Sequence, residues 1–395
     1  MSYVNPNFEK IFGEKATYVF SAPGRTELSG NHTDHQHGQV LAAAVNLEML
    51  AWVKPNDSTI IRIMSEGYPM SVIDVSDLEI KEAEKNTTNA LIRGVAAKFI
   101  QMGCEVKGFD AYVTSTVLPG SGLSSSAAYE TLIGTIINHL YYGAKATAVE
   151  VAQIGQWAEN VYFGKPCGLM DQTASSVGSV IGIDFADNSN PIVEKIDLDL
   201  TANGYALCII DSGADHADLT DEYAAITVEL KNVCRIFGKE FLRDVDEDEF
   251  YANIANVRQV AGDRATLRAM HVFAENKRVE AQKAALRAND FDTFLKYVTE
   301  SGLSSWRFLQ NVTPKGRDEY QEVAFALALS EKLLAGTKGV CRVHGGGFAG
   351  TIQAFVPLEI LDTFKTEIEK VLGEGKCHVL SVRAEGGVLV EEGEF

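Results

Sequence analysis

The chain has 395 residues, 46% hydrophobic and 23% charged, a composition able to bury a core and a length that makes two domains the natural expectation. Its 54 acidic against 35 basic side chains leave a formal net charge of −19, which argues against nucleic acid or an anionic membrane as the main partner. The six cysteines form no C-x-x-C pair, residues 1–15 carry no apolar targeting segment and no run reaches bilayer-spanning length. That excludes a disulfide-framed or membrane-spanning class and predicts reduced thiols in a cytoplasmic protein.

In chain order, residues 17–22 read as a short strand closed by a Pro23-Gly24 turn, which delivers Arg25 to a loop or strand end. Residues 25–38 are unusually polar for a stretch feeding an apolar run, as a binding loop on a rigid scaffold would be. Strands are expected at 40–45, 49–54, 59–64 and 70–75, then a helix over 89–102 with Leu91, Ile92, Val95, Phe99 and Ile100 at near-helical spacing. A β-like run over 109–117 leads into Leu118-Pro119-Gly120-Ser121-Gly122-Leu123-Ser124-Ser125-Ser126-Ala127-Ala128, which opens a helix running to about Leu140.

Small residues where a strand turns into a helix N-terminus suit a phosphate. The first backbone N–H groups there lack intrahelical partners, the macrodipole is positive, glycine allows close approach, and serine hydroxyls bond phosphate oxygen or hold Mg²⁺. No G-x-x-x-x-G-K-[ST] occurs, so a P-loop fold is disfavoured.

Thr147-Ala148-Val149-Glu150 fits a capping box, starting a helix that Gly164-Lys165-Pro166-Cys167-Gly168 stops. A short segment begins at Leu169-Met170-Asp171-Gln172, a strand is expected over 180–185, and the polar run 186–191 reads as a linker. Further strands are expected at 205–211, 350–355 and 380–383, with helices over 220–237, 267–288 and 317–335. Strands and helices mix without strict βαβα alternation, which favours the α+β class over a doubly wound sheet.

His344-Gly345-Gly346-Gly347-Phe348-Ala349-Gly350 formally contains G-x-G-x-x-G, but a strand-like run follows where the dinucleotide fingerprint requires a helix. It reads instead as a hairpin-like turn brought close to a ligand or another backbone. His32, His35 and His37 with Asp34 match no usual metal-site spacing, and imidazoles in such a loop are expected to hydrogen-bond.

Four stretches, taken in order, resemble the motifs of the galactokinase branch of the kinases that also include homoserine, mevalonate and phosphomevalonate kinases. They are Ala22-Pro23-Gly24-Arg25 through Gly30-Asn31-His32-Thr33-Asp34 to Gly38-Gln39-Val40-Leu41, the loop 119–127, the segment 164–172 and the glycine run 345–350. The resemblance implies an N-terminal ribosomal-S5-like domain over 1–186, a C-terminal ferredoxin-like domain over 187–395 and an active site in the cleft between them. It implies a sugar kinase that uses ATP and Mg²⁺ to phosphorylate the C1 hydroxyl of galactose, acting as a monomer or homodimer with sugar and ATP as its partners.

By motif match, Asp171 orients or deprotonates the acceptor hydroxyl and Arg25 supports it. Gly120, Ser121, Gly122, Leu123, Ser124, Ser125, Ser126 and Ala127 cradle the nucleotide, and Ser126 and Glu159 contact Mg²⁺. Asn31, His32, Asp34, Gly168 and Tyr223 contact the sugar.

The usual signature reads Gly-Arg-x-Asn-Leu-Ile-Gly-Glu-His-Thr-Asp-Tyr. Here Glu27 takes the Asn place, Ser29 the Ile place, Asn31 the Glu place and His35 the Tyr place. Arginines usual after Tyr223 are missing, and Thr88 falls where tryptophan is common near the adenine. An amide at residue 31, which the resemblance sets at the C6 end of the sugar, opens a C6-modified relative such as galacturonate as an alternative substrate. A carboxylate there repels a C6 carboxylate, whereas an amide donates as well as accepts. The alternative of another class is a sugar- and ATP-binding sensor without turnover. Such sensors carry a damaged phosphate loop, and here residues 122–127 are whole with Arg25 and Asp171 present.

Overall fold

The computed structural model describes residues 5–117, 122–214 and 219–395. Its strands in chain order are β1 (Tyr18–Ser29), β2 (Gln39–Pro55), β3 (Ile60–Ser65), β4 (Ser71–Asp74), β5 (Phe109–Ser115) and β6 (Val180–Asp184). They continue as β7 (Ile192–Ile196), β8 (Tyr205–Ala214), β9 (Val340–Val343), β10 (Gly350–Pro357), β11 (Cys377–Leu380) and β12 (Val388–Glu392). Strands and helices are mixed, as the α+β expectation has it.

The chain divides into two compact units, but not by a single cut between residues 186 and 187. One unit comprises Met1–Arg25, Ala43–Ser179 and Arg383–Phe395; the other comprises Thr26–Ala42 and Val180–Val382. The C-terminal strand returns to the first unit because β12 pairs antiparallel with β1, Tyr18 opposite Glu392 and Ser21 opposite Val388.

In the first unit the sheet order is β12-β1-β2-β5-β3-β4. β2 and β5 are antiparallel from Met49↔Ser115 to Pro55↔Phe109, whereas β3 runs parallel to β5. The helices Thr88–Gln101, Ser125–Tyr142, Ala148–Ala158 and Met170–Val177 pack on one another, the first two also reaching the sheet, and the helix Pro6–Phe12 packs on β5. Close helix approach depends on Gly94, where an added Cβ would lie 2.8 Å from Ala158 Cβ. The capping box forms as expected, with Thr147 Oγ1 accepting from Glu150 N at 3.2 Å and Glu150 Oε2 accepting from Thr147 N at 2.7 Å.

Two local expectations fail here. The Pro23-Gly24 pair does not end β1, which continues to Ser29, and the runs 40–45 and 49–54 are one strand of 17 residues. Proline's fixed φ suits an extended chain. Long-range bonds then hold the pair straight: Pro23 O accepts from Ser175 Oγ at 2.7 Å, and Arg25 N donates to Leu123 O at 3.0 Å.

In the second unit the sheet order is β11-β8-β10-β9, antiparallel throughout. With the helices Thr220–Ile236, Asp263–Arg287 and Phe291–Ser304 between β8 and β9, and Leu361–Leu372 between β10 and β11, the succession is the ferredoxin-like β-α-β-β-α-β. One core lies between this sheet (Cys208, Ile210, Ile352, Ala354, Val356) and Val323, Leu327, Phe364 and Ile368. A second gathers Ile226, Leu230, Phe250, Val272, Leu309 and Phe348. The expected linker at 186–191 is the turn of a hairpin, since β6 pairs with β7 from Val180↔Ile196 to Asp184↔Ile192. The strand expected at 380–383 lies three residues earlier, at Cys377–Leu380.

Candidate active site

The glycine–serine loop does lead into a helix, Ser125–Tyr142. Gly120 and Ser121 lie outside the described residues. Gly122 and Ser124 both adopt positive φ, 73° and 54°. Ser124 occupies the N-cap position yet makes no side-chain cap among the described residues; its Oγ instead donates to Asp171 Oδ2 at 2.8 Å. Its side chain therefore does not cap the first helical turn, whose amides have no intrahelical acceptor.

Asp171 sits in the first turn of the helix Met170–Val177. Arg25 grips it with both arms, Nε to Oδ1 at 2.7 Å and Nη2 to Oδ2 at 2.5 Å, while Nη1 donates to Gly122 O at 2.6 Å. One guanidinium thus joins the loop to the carboxylate through a bidentate charged pair. Burial pushes the Asp171 carboxyl up, but the Arg25 charge and hydrogen bonds, helped by Ser124, outweigh it and hold the group below the usual range.

Glu159 begins a π turn, Glu159–Phe163, which continues the helix Ala148–Ala158; such turns concentrate at functional positions. Ser126 Oγ lies 3.5 Å from Glu159 Oε1, so the two oxygens expected to hold Mg²⁺ face each other. Lys165 Nζ stands 3.5 Å from the same carboxylate oxygen. Gly168 is exposed in the turn before Met170.

Behind them lies a cluster the sequence reading missed. Gln172 Nε2 donates to Glu159 Oε2 at 2.8 Å and to Glu130 Oε2 at 3.0 Å. Glu130 is fully buried; burial first, then the nearby Glu159 charge, drives its carboxyl well above the usual range. A glutamate inside a helical apolar pattern was the available signal.

In the second unit, Asn31, His32 and Tyr223 gather around the glycine turn. β9 and β10 flank this turn as antiparallel partners, Val343 opposite Ile352, as the hairpin reading expects. Tyr223 OH donates to Gly347 O at 2.8 Å, and burial raises that phenol to about 12. His32 Nε2 lies 2.9 Å from Gly346 O, which can only accept, so that nitrogen carries the proton. His32 Nδ1 then accepts from His35 Nε2 at 3.3 Å, and His35 Nδ1 accepts from Gln36 Nε2 at 3.2 Å. Burial first, then the neighbouring His35, lowers His32 to about 3, and burial lowers His35 too, so both rings are neutral. Asp34 opens the short 3-10 turn Asp34–Gln36 beside them.

Asn31 has its amide engaged by the protein itself. It is fully buried, and protein groups take every hydrogen-bonding position of its amide. Nδ2 donates to Gly345 O and to Glu27 Oε1 (3.2 Å), while Oδ1 accepts from Asn311 Nδ2 (2.7 Å) and Ser305 Oγ (3.3 Å).

Each polar departure in the signature has a buried partner. Glu27 Oε1 accepts from Arg342 Nη2 at 3.0 Å. Ser29 Oγ donates to Glu275 Oε1 at 3.1 Å, and the same oxygen accepts from Gly30 N (3.0 Å) and Ser301 Oγ (2.6 Å). Arg342, Asn311, His271 and Glu275 carried no local motif, so nothing near them in sequence marked them.

Two family models match: "Galactokinase galactose-binding signature" over residues 6–55 and "GHMP kinases N terminal domain" over 90–179. The chain is 33% identical over 368 residues to a galactokinase of Glaesserella parasuis, covering 91% of this chain and 90% of that protein. It is 29% identical over 370 residues to a galactokinase of Streptomyces coelicolor, covering 93% and 91%. The structure of Lactococcus lactis galactokinase complexed with galactose aligns with TM-score 0.82 at 25% identity, covering 97% of this chain and 98% of that one. A mevalonate kinase shares the fold, with TM-score 0.63 at 13% identity. With a phosphate-type loop joined by an arginine to an ionised aspartate, and relatives aligned over nine-tenths of its length, this chain belongs to the galactokinase family of the GHMP kinases.

Proposed function

We propose that the protein transfers the γ-phosphoryl group of ATP to the C1 hydroxyl of galactose. The observation that carries this reading is the Arg25–Asp171–Ser124 junction at the start of the helix Ser125–Tyr142. Phosphoryl transfer needs little covalent help from protein; it needs an acceptor held in line and charge compensated. Asp171, ionised, accepts a hydrogen bond from the C1 hydroxyl and takes its proton as the O–P bond forms. Arg25 keeps that carboxylate charged and oriented and lends positive charge beside the transferring group. Residues 122–127, with Gly120 and Ser121, cradle the triphosphate.

Ser126 and Glu159 are two hard oxygen donors 3.5 Å apart, a pair that fits Mg²⁺. When bound there, Mg²⁺ neutralises charge on the phosphate oxygens. Asp34, Gly168 and Tyr223 contact the sugar in this reading, as does His32, which unlike the fully buried Asn31 is partly exposed and can exchange a ring-nitrogen bond for one to a hydroxyl. It goes with a cytoplasmic enzyme, monomer or homodimer, whose partners are ATP and free sugar rather than nucleic acid.

Coupled ADP release on a panel of hexoses and hexuronic acids tests it. Galactose is the expected acceptor, and Asp171→Ala abolishes turnover while leaving ATP affinity nearly unchanged. Intact ATP binding with no turnover on any sugar would instead make the protein a sensor.

A further inference from the structure

Asn31, His32 and Tyr223 hold three consecutive carbonyls of the glycine turn: Asn31 Nδ2 donates to Gly345 O, His32 Nε2 to Gly346 O and Tyr223 OH to Gly347 O. Within the turn Ala349 N donates to Gly347 O at 2.7 Å, and His344 N donates to Thr351 O at 3.3 Å where the strands begin; the carbonyls of Gly345 and Gly346 are bonded from outside it. Gly345, Gly347 and Phe348 all sit at positive φ (59°, 76° and 61°), a conformation that is strained for Phe348. Resting on the galactokinase reading, we propose that Asn31 is a positioning residue for this turn and not a sugar contact.

The amide has two donors and one carbonyl oxygen with two acceptor sites. Glu27 and Gly345 take the donors; Asn311 and Ser305 take the acceptor sites. The backbone carbonyl of Asn31 is also occupied, by His271 Nε2 at 2.9 Å. A sugar hydroxyl could reach the amide only by displacing one of these bonds at a side chain that is fully buried. Asn311 extends the clamp, because its Nδ2 bonds Gly346 O at 3.1 Å as well as Asn31 Oδ1, and its backbone oxygen accepts from Phe348 N at 2.5 Å.

The amide at residue 31 therefore does not choose between a C6 hydroxyl and a C6 carboxylate. It fixes where His32 and the turn stand, and an acceptor's C6 substituent is invisible to it.

Galactose and 6-deoxygalactose, compared as acceptors for the wild type, Asn31→Ala and Asn311→Ala, test this. The positioning role lowers kcat/KM for both acceptors by the same factor, 10-fold or more, in each variant. The ratio between the two acceptors stays within twofold of wild type, and KM for ATP is unchanged. A ratio that shrinks fivefold or more in Asn31→Ala would overturn the proposal, as would wild-type kinetics in Asn311→Ala. A structure of the wild-type protein with galactose decides without any variant. Asn31 still bonded to Gly345 O and out of reach of the sugar is the expected result, and an Asn31 side-chain atom within 3.5 Å of a sugar oxygen overturns it. Failure of the wild type to phosphorylate either sugar would remove the galactokinase reading instead.

Discussion

Arg25 and Asp171 are 146 positions apart in the chain and meet as a two-armed pair, 2.7 Å and 2.5 Å, with the third guanidinium nitrogen on Gly122 O. The fork sets the carboxylate plane and the loop together, a geometry a single ammonium does not reproduce. Arg25→Lys is expected to lower kcat about 100-fold, equivalent to ~2.7 kcal/mol of transition-state stabilisation, while ATP affinity changes little. Steady-state ADP release with calorimetric titration of ATP checks it, and a kcat within fivefold of wild type would refute the role.

Glu130 binds its proton more tightly folded than unfolded. Above the unfolded value of 4.5 the unfolded chain loses that proton while the folded chain keeps it, so this group makes the fold less stable as pH rises, by up to ~1.4 kcal/mol per pH unit. Glu130→Gln is neutral in both states and retains an oxygen for Gln172. Its melting temperature should exceed that of wild type at pH 8, with the gap narrowing at pH 5. Thermal melts across that range measure it; equal gaps at both ends would contradict it.

His32 and His271 are both depressed chiefly by burial, to about 3 and about 4. Depressed imidazoles add stability that is complete above the unfolded value near 6.5 and is lost as pH falls toward those folded values. Both rings should keep the chemical shifts of neutral imidazole from pH 8 down to pH 5 in an NMR titration. An inflection near 6.5 for either ring would show that it is not packed as described.

Gly347 has φ of 76°, and an added Cβ would fall 2.1 Å from the backbone oxygen of Asn311. Since that oxygen belongs to the backbone, it has no rotamer by which to withdraw. Gly347→Ala should cost about 2–3 kcal/mol of stability and lower kcat/KM for galactose. Denaturant unfolding and kinetics on the same sample check both parts, and unchanged stability would mean the turn is looser than its bonds imply.

The order of the four motifs, the glycine–serine loop opening a helix, the Thr147–Glu150 capping box and the strand after the glycine run were legible in sequence because each is written in residues adjacent along the chain. Asp171 and Arg25 were nameable for the same reason, each inside its own local motif. What those motifs touch was not legible. Pro23-Gly24 looks like a turn until Ser175 and Leu123 hold it straight, and the polar run 186–191 looks like a linker until β6 and β7 pair across it.

Asn31 is the sharpest case. As a letter in a polar loop it invites a ligand, yet Asn311, Ser305, Glu27 and Gly345 satisfy it inside the fold. Local residue order determined the chemistry available to this protein. Only tertiary structure decided which polar groups remain open to a substrate, because a side chain's hydrogen-bonding capacity is finite and distant partners fill it.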